Sequence, residues 1–261
     1  KTRIGKILGP FKNMPGIDME ALKNIVLHVS ELVCELPEVR EMDINPLMAD
    51  ESGVVALDAR IIVQPQPQGK PYGHMAIMPY PVHIVHCAML KDGTTVMIRP
   101  VRPEDAQMQQ EFVRNLSEES RYNRYMSSIK QLSQSMLVRF TQLDYDREMA
   151  LAMVRQTDDG EEQLAVARYI TDPDNESCEF ALEVADSWQG KGIGVTLMQA
   201  LFDAAREQGL KTMVGEVLAG NKGMLKLMSR LGFVVTTHPE DRALTIVTKD
   251  LQGEAPVKSL Q

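Results

Sequence analysis

The sequence predicts an α/β (α+β) protein in two parts, and three observations predict it. Strand-like and helix-like runs alternate along the 261 residues. A proline–glutamine stretch, Gln64-Pro65-Gln66-Pro67-Gln68-Gly69-Lys70-Pro71, interrupts both patterns, because it disfavours helix and ladder hydrogen bonds and prefers an extended chain. A glycine-rich hexapeptide, Gln189-Gly190-Lys191-Gly192-Ile193-Gly194, joins a strand-like run at 179–184 to a helix-like run at 193–208. We therefore expect a small α/β piece at 1–63, a linker at 64–93, a larger unit at 94–250 and a flexible tail at 251–261.

The elements follow from local patterns. Residues 18–36 carry Leu22, Ile25, Val26, Val29, Leu32 and Val33 on one helical face, with Asp18 placed to cap the first turn. Strand-like runs at 39–44 and 54–63 flank a turn at Asp50-Glu51-Ser52-Gly53. This first piece is near the lower size limit for an independent core. After the bridge the expected order is β-α-α-β-β-β-α-β-α-β. A strand at 95–101 leads into a helix near 105–116, and a second helix lies near 133–143. Strands at 149–155, 163–170 and 178–184 are separated by turns at Asp158-Asp159-Gly160 and Asp172-Pro173-Asp174-Asn175. Ile193, Leu197, Leu201 and Ala205 recur at i, i+4 in the next helix. A strand at 212–217, a helix at 221–229 and a strand at 244–248 complete the unit.

Composition bounds the function. The chain is 44% hydrophobic and 25% charged, as in soluble globular proteins. No apolar run approaches the ~20 residues of a membrane span. Lys1-Thr2-Arg3 is not followed by the apolar core of a signal peptide. A cytoplasmic protein with no membrane partner is expected, and the start at Lys1 reads as a piece of something longer. Cys34, Cys87 and Cys178 are sparse and odd in number, which fits a reducing compartment. His83 and His86 near Cys87 make no recognised ligand spacing, so no metal is expected. The net charge of −8 argues against nucleic acid and suits a partner that presents lysine.

The glycine loop carries the chemistry. Glycines let backbone amides approach a ligand closely. The following helix offers free N–H groups and the positive end of its dipole. Strand, loop and helix N-terminus together suit a phosphate group. The dinucleotide fingerprint G-x-G-x-x-G fails, because Gly194 comes one residue early. The triphosphate-binding loop fails too, lacking the four-residue gap and the Lys-Ser/Thr end.

The loop, with Ile98-Arg99-Pro100, Pro103-Glu104-Asp105, Asn221 and Leu231-Gly232-Phe233, resembles the GNAT family of N-acetyltransferases over roughly 94–250. Leu116-Ser117-Glu118-Glu119-Ser120-Arg121-Tyr122 and Asp144-Tyr145-Asp146-Arg147-Glu148-Met149-Ala150 are similar to bacterial Pat-type protein lysine acetyltransferases. Glu41-Met42-Asp43-Ile44-Asn45-Pro46-Leu47 and Ala56-Leu57-Asp58-Ala59-Arg60 resemble the end of an ATP-grasp domain of NDP-forming acyl-CoA synthetases, where Asn45 and Asp58 match positions serving a metal–nucleotide complex. The phosphate-gripping half of such a domain is missing, so both residues read as remnants.

The GNAT resemblance implies a mixed central sheet that splays open, with acetyl-CoA as cosubstrate. It implies that the amides of Gln189, Gly190, Lys191, Gly192, Ile193 and Gly194 hold the pyrophosphate, that Leu182 and Val184 bond the pantetheine arm, and that Asn221 contacts it. Lys191 could add charge or simply face solvent, and Asn221 could be only a helix cap. Glu179, ten residues before Gln189, matches the general base; Glu183 would stand nearer the thioester and help orient water. Met228 occupies the place of the tyrosine acid of many relatives, so no acid is named. The implied function is acetylation of protein lysines, with acyl-CoA synthetases as implied targets and homo-oligomers common among relatives. Three other readings stay open: a small-molecule amine N-acetyltransferase, a non-catalytic acetyl-CoA sensor, and a piece of an ATP-using ligase acting through 1–63.

Overall fold

The computed structural model describes residues 8–10, 15–65, 72, 74, 75, 78–158 and 160–252. Most of the proline–glutamine bridge (66–71) and the tail (253–261) lie outside the described residues, as does Asp159 in its turn. The chain divides into two compact units between residues 79 and 80.

In the first unit, helix α1 (Met19–Glu35) starts where expected. The Asp18 carboxylate accepts from the Glu20 and Ala21 amides at 3.0 and 2.9 Å. Strands β1 (Val39–Ile44) and β4 (Ala59–Val63) pair antiparallel, and β2 (Leu47–Asp50) and β3 (Gly53–Ala56) form a hairpin. The single strand expected at 54–63 is thus two strands, broken at Leu57-Asp58 so that the chain can change partner. No residue of α1 is buried, and β4 is exposed along its whole length. Asn45 and Asp58 meet through their backbones, the Asn45 amide donating to the Asp58 carbonyl at 3.1 Å.

The second unit is an eight-stranded sheet in the order β11-β12-β10-β9-β8-β7-β6-β5. Its strands are β5 (His86–Met89), β6 (Thr95–Pro100), β7 (Glu148–Thr157), β8 (Gly160–Thr171), β9 (Ser177–Val184), β10 (Thr212–Leu218), β11 (Val234–Thr237) and β12 (Leu244–Asp250). All neighbours run antiparallel except β9 and β10. Residues 80–93, read from sequence as linker, instead contribute the edge strand β5. Leu251, read as the start of the tail, is 1% exposed and its amide bonds the Lys211 carbonyl at 2.8 Å.

Helices cover the sheet. Val101, Phe112, Val113, Leu116 and Leu132 pack on Ala150, Ala152, Val154 and Val166. This places α2 (Ala106–Asn115) and α4 (Gln134–Thr141) over β7 and β8. Between them lies α3 (Glu118–Tyr125), capped by the Ser117 hydroxyl. Helix α5 (Ile193–Glu207) buries Ile193, Leu197, Met198, Leu201, Phe202, Ala204 and Ala205, and also packs on β7 and β8. Helix α6 (Lys222–Arg230) follows β10, with Met228 fully buried.

The Ile98-Arg99-Pro100 and Pro103-Glu104-Asp105 motifs acquire a physical reason. Arg99, 1% exposed, makes two hydrogen bonds to Asp105, at 2.7 and 2.8 Å, and one to Glu161 at 2.6 Å. Asp105 also accepts the Arg102 amide at 2.7 Å. Burial works against the Arg99 charge, but the two carboxylates outweigh it and hold the guanidinium above its ordinary range. The sequence thus locks the end of β6 to the start of α2.

Candidate active site

The parallel pair β9–β10 is the structural origin of the site. It holds together for three residue pairs, Thr212 with Ser177, Met213 with Cys178 and Val214 with Glu179, and then parts. On the far side β9 stays paired with β8 up to Val184. Just past the last pair, the Phe180 ring lies over Gly215, where an added Cβ would come within 2.5 Å of it. From residue 180 onward one edge of β9 therefore has no ladder partner in β10.

A cavity of about 690 Å³ opens beside that free edge. Its walls come from the end of β9, the glycine loop, α3 and α6. Of the sequence-predicted binding residues, Leu182, Val184, Gln189, Gly190, Gly192, Gly194 and Asn221 line it. Two do not. Ile193 is buried in the core beneath α5. Lys191 lays its ammonium 4.1 Å from the centroid of the Trp188 ring, itself part of the cavity wall, and 4.0 Å from Asp92, without lining the cavity itself.

The loop has the geometry its glycines suggested. Gly190 and Gly192 hold φ values of 76° and 90°, a region glycine enters without strain. Gly192 is also the N-cap of α5 and supplies no capping side chain. The Val195 amide already donates to the Gly192 carbonyl at 3.0 Å, so the amides before it, those of Ile193 and Gly194, are the ones left for a ligand, and a phosphate is the group such an end takes up. Asn221 both caps α6, accepting the Met224 amide at 3.0 Å, and lines the cavity.

The two candidate bases sit in different surroundings. Glu183 is 6% exposed and lines the cavity. Its carboxylate accepts from Arg124 Nε and from the Tyr125 hydroxyl, both at 3.0 Å. Burial first, and the Glu183 charge second, push the Tyr125 phenol well above its ordinary range. Buried Arg168, stacked 4.3 Å from the Phe140 ring, is pulled down to about 10 by burial, against the opposing pull of Glu183. Glu179 is exposed and lies outside the cavity lining, at the last β9–β10 pair where the strands begin to part. Among the described residues no hydrogen bond or ion pair ties up its carboxylate.

Sequence reasoning missed several residues that the fold brings to the site. Arg124, Ser120 and Asn123 of α3 form one wall, and Lys222, Lys226 and Arg230 of α6 form part of another. Asp186 links α3 to the loop. It accepts from the Ser117 amide at 2.7 Å, the Ser117 hydroxyl at 3.0 Å and the Ser120 hydroxyl at 2.6 Å. Burial would raise its pKa, but these donors outweigh that and hold it below the usual carboxylate range. Asp186→Ala is expected to cost about 1–2 kcal/mol, the scale of a few lost hydrogen bonds, and to lower the thermal midpoint by a few degrees. A thermal melt checks this.

A sheet that parts at its parallel pair, with an uncapped helix end beside the opening, gives a cavity suited to a long ligand with a phosphate at one end. Residues 95–234, over half the chain, match the model of the acetyltransferase (GNAT) domain, and residues 1–63 match that of the ATP-grasp domain. The chain belongs to the GNAT acetyltransferase family and is an acyltransferase. It is similar to acetyltransferase PA5475 of Pseudomonas aeruginosa, 34% identical over 157 residues, covering 60% of this chain and 84% of that one. It is 30% identical over 159 residues to acetyltransferase Pat of Mycolicibacterium smegmatis, covering 60% of this chain but 45% of that relative. Among solved structures, the GNAT domain of S. lividans PAT superposes with a TM-score of 0.61 at 28% identity, covering 66% of this chain and 99% of that one. Among the described residues no helix is long and apolar enough to cross a membrane.

Proposed function

We propose that this protein transfers the acetyl group of acetyl-CoA to lysine side chains of other proteins, in the manner of a Pat-type enzyme, with acyl-CoA synthetases among its targets. The likeness of the second unit to the GNAT domain of a PAT carries the reading. The ATP-grasp match at residues 1–63 supports it. In this reading the coenzyme's pyrophosphate rests on the amides between Gln189 and Gly194 at the uncapped α5 terminus. Its pantetheine arm lies along the free edge at Leu182 and Val184, beside Asn221. The Val184 amide is placed to polarise the thioester carbonyl. Glu179 takes the proton from the attacking lysine through a chain of waters. Glu183, with both oxygens engaged, holds Arg124 at the cavity wall.

Arg124 also gives a second reading some footing. A guanidinium in the wall suits an acceptor that carries its own carboxylate, such as a free amino acid. The test is a transfer assay with acetyl-CoA against a folded acyl-CoA synthetase and a panel of free amino acids, read by mass spectrometry. Acetylated lysines on the protein are the expected result. Acetylation of free amino acids with none on protein establishes the second reading, and coenzyme binding without transfer to any amine overturns both.

A further inference from the structure

Arg124, in the last turn of α3, is held at one end only. Its Nε donates to Glu183 at 3.0 Å, and its guanidinium carbon stands 5.1 Å from the centroid of the Tyr125 ring. The side chain is 21% exposed and lines the cavity, yet among the described residues no hydrogen bond takes up its two outer amino groups, Nη1 and Nη2. A second guanidinium belongs to the same cluster. The Tyr125 ring stacks with Phe140 at 6.5 Å between centroids, and Phe140 carries Arg168 over its own ring. Arg168 is 7% exposed, its Nε has no hydrogen-bond partner, and its Nη2 reaches the Phe140 carbonyl only at 3.5 Å. The acids nearby do not balance the pair. Glu183 answers one charge, Glu148 is bonded to Arg139, and Asp186 is bonded to Ser117 and Ser120. Glu119 lines the cavity too, but among the described residues no ion pair joins it to Arg124. One positive charge is left over in a wall largely shielded from water, which is costly unless an anion meets it.

A planar fork, fixed at its Nε with both outer amino groups free, suits a carboxylate bound through two parallel hydrogen bonds. Its position says which molecule brings that carboxylate. Glu183, which holds the fork, immediately precedes Val184, whose amide the proposed function places at the thioester carbonyl. The fork therefore stands at the acyl end of the ligand and not at its phosphate end. The side chain of an acceptor lysine brings no carboxylate, so the acyl group has to. In a succinyl thioester the free carboxyl carbon lies three C–C bonds, about 4 Å, beyond the thioester carbonyl. That is the same three-bond span that separates the Cα of Glu183 from the carboxylate holding Arg124.

We infer that the enzyme also accepts a short dicarboxylic acyl thioester of coenzyme A, such as succinyl-CoA, with Arg124 reading the free carboxylate of the acyl group. The inference rests on the proposed transfer to protein lysines. The reaction follows the acetyl case. The lysine nitrogen forms a C–N bond to the thioester carbonyl, the C–S bond breaks, and coenzyme A leaves as the thiolate. The ammonium gives up two protons in becoming an amide; one ends on the thiolate and the other in solvent by way of Glu179. The product lysine carries a negative charge in place of its positive one, where acetylation would leave it neutral.

The test compares kcat/KM for succinyl-CoA and acetyl-CoA with a folded acyl-CoA synthetase as acceptor, read by mass spectrometry with the enzyme-free reaction subtracted. It is run on the wild type, Arg124→Gln and Arg124→Lys. Both acyl donors are measured on the same preparation, so any loss of folded protein cancels in their ratio. The wild type is expected to succinylate lysines, and Arg124→Gln to lower the succinyl-to-acetyl ratio on the order of tenfold, the scale of charge-assisted bonds to one carboxylate. Arg124→Lys keeps the charge without the fork; its ratio should fall partway, and it carries the test if the glutamine variant does not fold. Acetyl transfer without succinyl transfer by the wild type overturns the inference and leaves the proposed function standing. So does a ratio that neither variant moves. Acetyl transfer to free amino acids that falls in Arg124→Gln while the ratio stays fixed gives the fork to the acceptor, and overturns the inference as well. Transfer from neither thioester to any lysine overturns the proposed function, and the inference with it.

Discussion

Asp105→Ala is expected to cost about 3–5 kcal/mol of folding stability, the usual result of removing one partner of a buried ion pair. The reason lies in what is left behind. Arg99 makes two of its charge-assisted bonds to Asp105 and is shut away from water. Without that carboxylate a buried guanidinium keeps one acidic partner, Glu161, which is itself about one-third exposed. The Arg102 amide at the entry to α2 loses its acceptor in the same step. Chemical denaturation followed by circular dichroism measures the loss. Adding Arg99→Met to Asp105→Ala should recover part of it, because the unpaired charge goes too. A loss under about 1 kcal/mol would place the pair among weak surface bridges and contradict its burial.

That pair was visible in the sequence only as a motif. Arg99 and Asp105 are six residues apart, and nothing in hydrophobic spacing says that they meet. What could be read was whatever rests on local pattern. The apolar row Ile193, Leu197, Leu201 and Ala205 foretold α5 because its period matches a helix lying on a sheet. The glycines at 190 and 192 foretold a phosphate-type loop because left-handed φ values need them. Elements without such a signal escaped. Helix α3 reads Glu-Glu-Ser-Arg-Tyr-Asn-Arg-Tyr and buries nothing, so it has no apolar face to detect; only the Ser117 cap and the acids of its first turn announce it. Strands β5 and β11 are four residues long and lie at the two edges of the sheet, where little burial shapes their composition. The break at Leu57-Asp58 was hidden because residues on both sides favour strand.

The site divides in the same way. The stretch from Leu182 to Gly194 is contiguous in sequence, so a local pattern suffices to single it out, and most of the residues it named line the cavity. Its walls depend on tertiary contacts. Arg124 reaches the cavity because Glu183 holds it there, and Lys226 and Arg230 reach it because α6 packs against Gly194. A row of cations at helical spacing looks like a solvated face until the fold shows what it faces. Lys191 shows the opposite case: a lysine between loop glycines suggests a phosphate ligand or a solvent-facing charge, and the fold sets its ammonium beside the Trp188 ring and Asp92.

Glu179→Gln is expected to lower kcat by a factor on the order of 10²–10⁴, the range for loss of a general base, with the KM for acetyl-CoA changed by no more than about twofold. A lysine with a pKa near 10.4 is unprotonated in about one copy in 2,500 at pH 7, so the acceptor needs help to attack. Glu179 and Glu183 lie on the same side of β9, being four residues apart on a strand. They differ in what they are free to do. Glu183 has one oxygen bonded to Arg124 and the other to Tyr125, whereas Glu179 stands exposed with no bonded partner among the described residues, at the point where β9 and β10 part. The strand's rise puts it roughly 13 Å from Glu183 along β9, so a water relay toward the thioester end is the expected route. The pH profile separates this role from a structural one. The activity of Glu179→Gln should climb towards wild type as pH rises to about 10, where the amine loses its proton unaided. Glu183→Gln should instead reduce stability as well as rate at every pH, because it leaves Arg124 without its carboxylate. If Glu179→Gln keeps its rate while Glu183→Gln alone shows the pH-dependent loss, the base is the buried carboxylate and the proton leaves through the Arg124 wall.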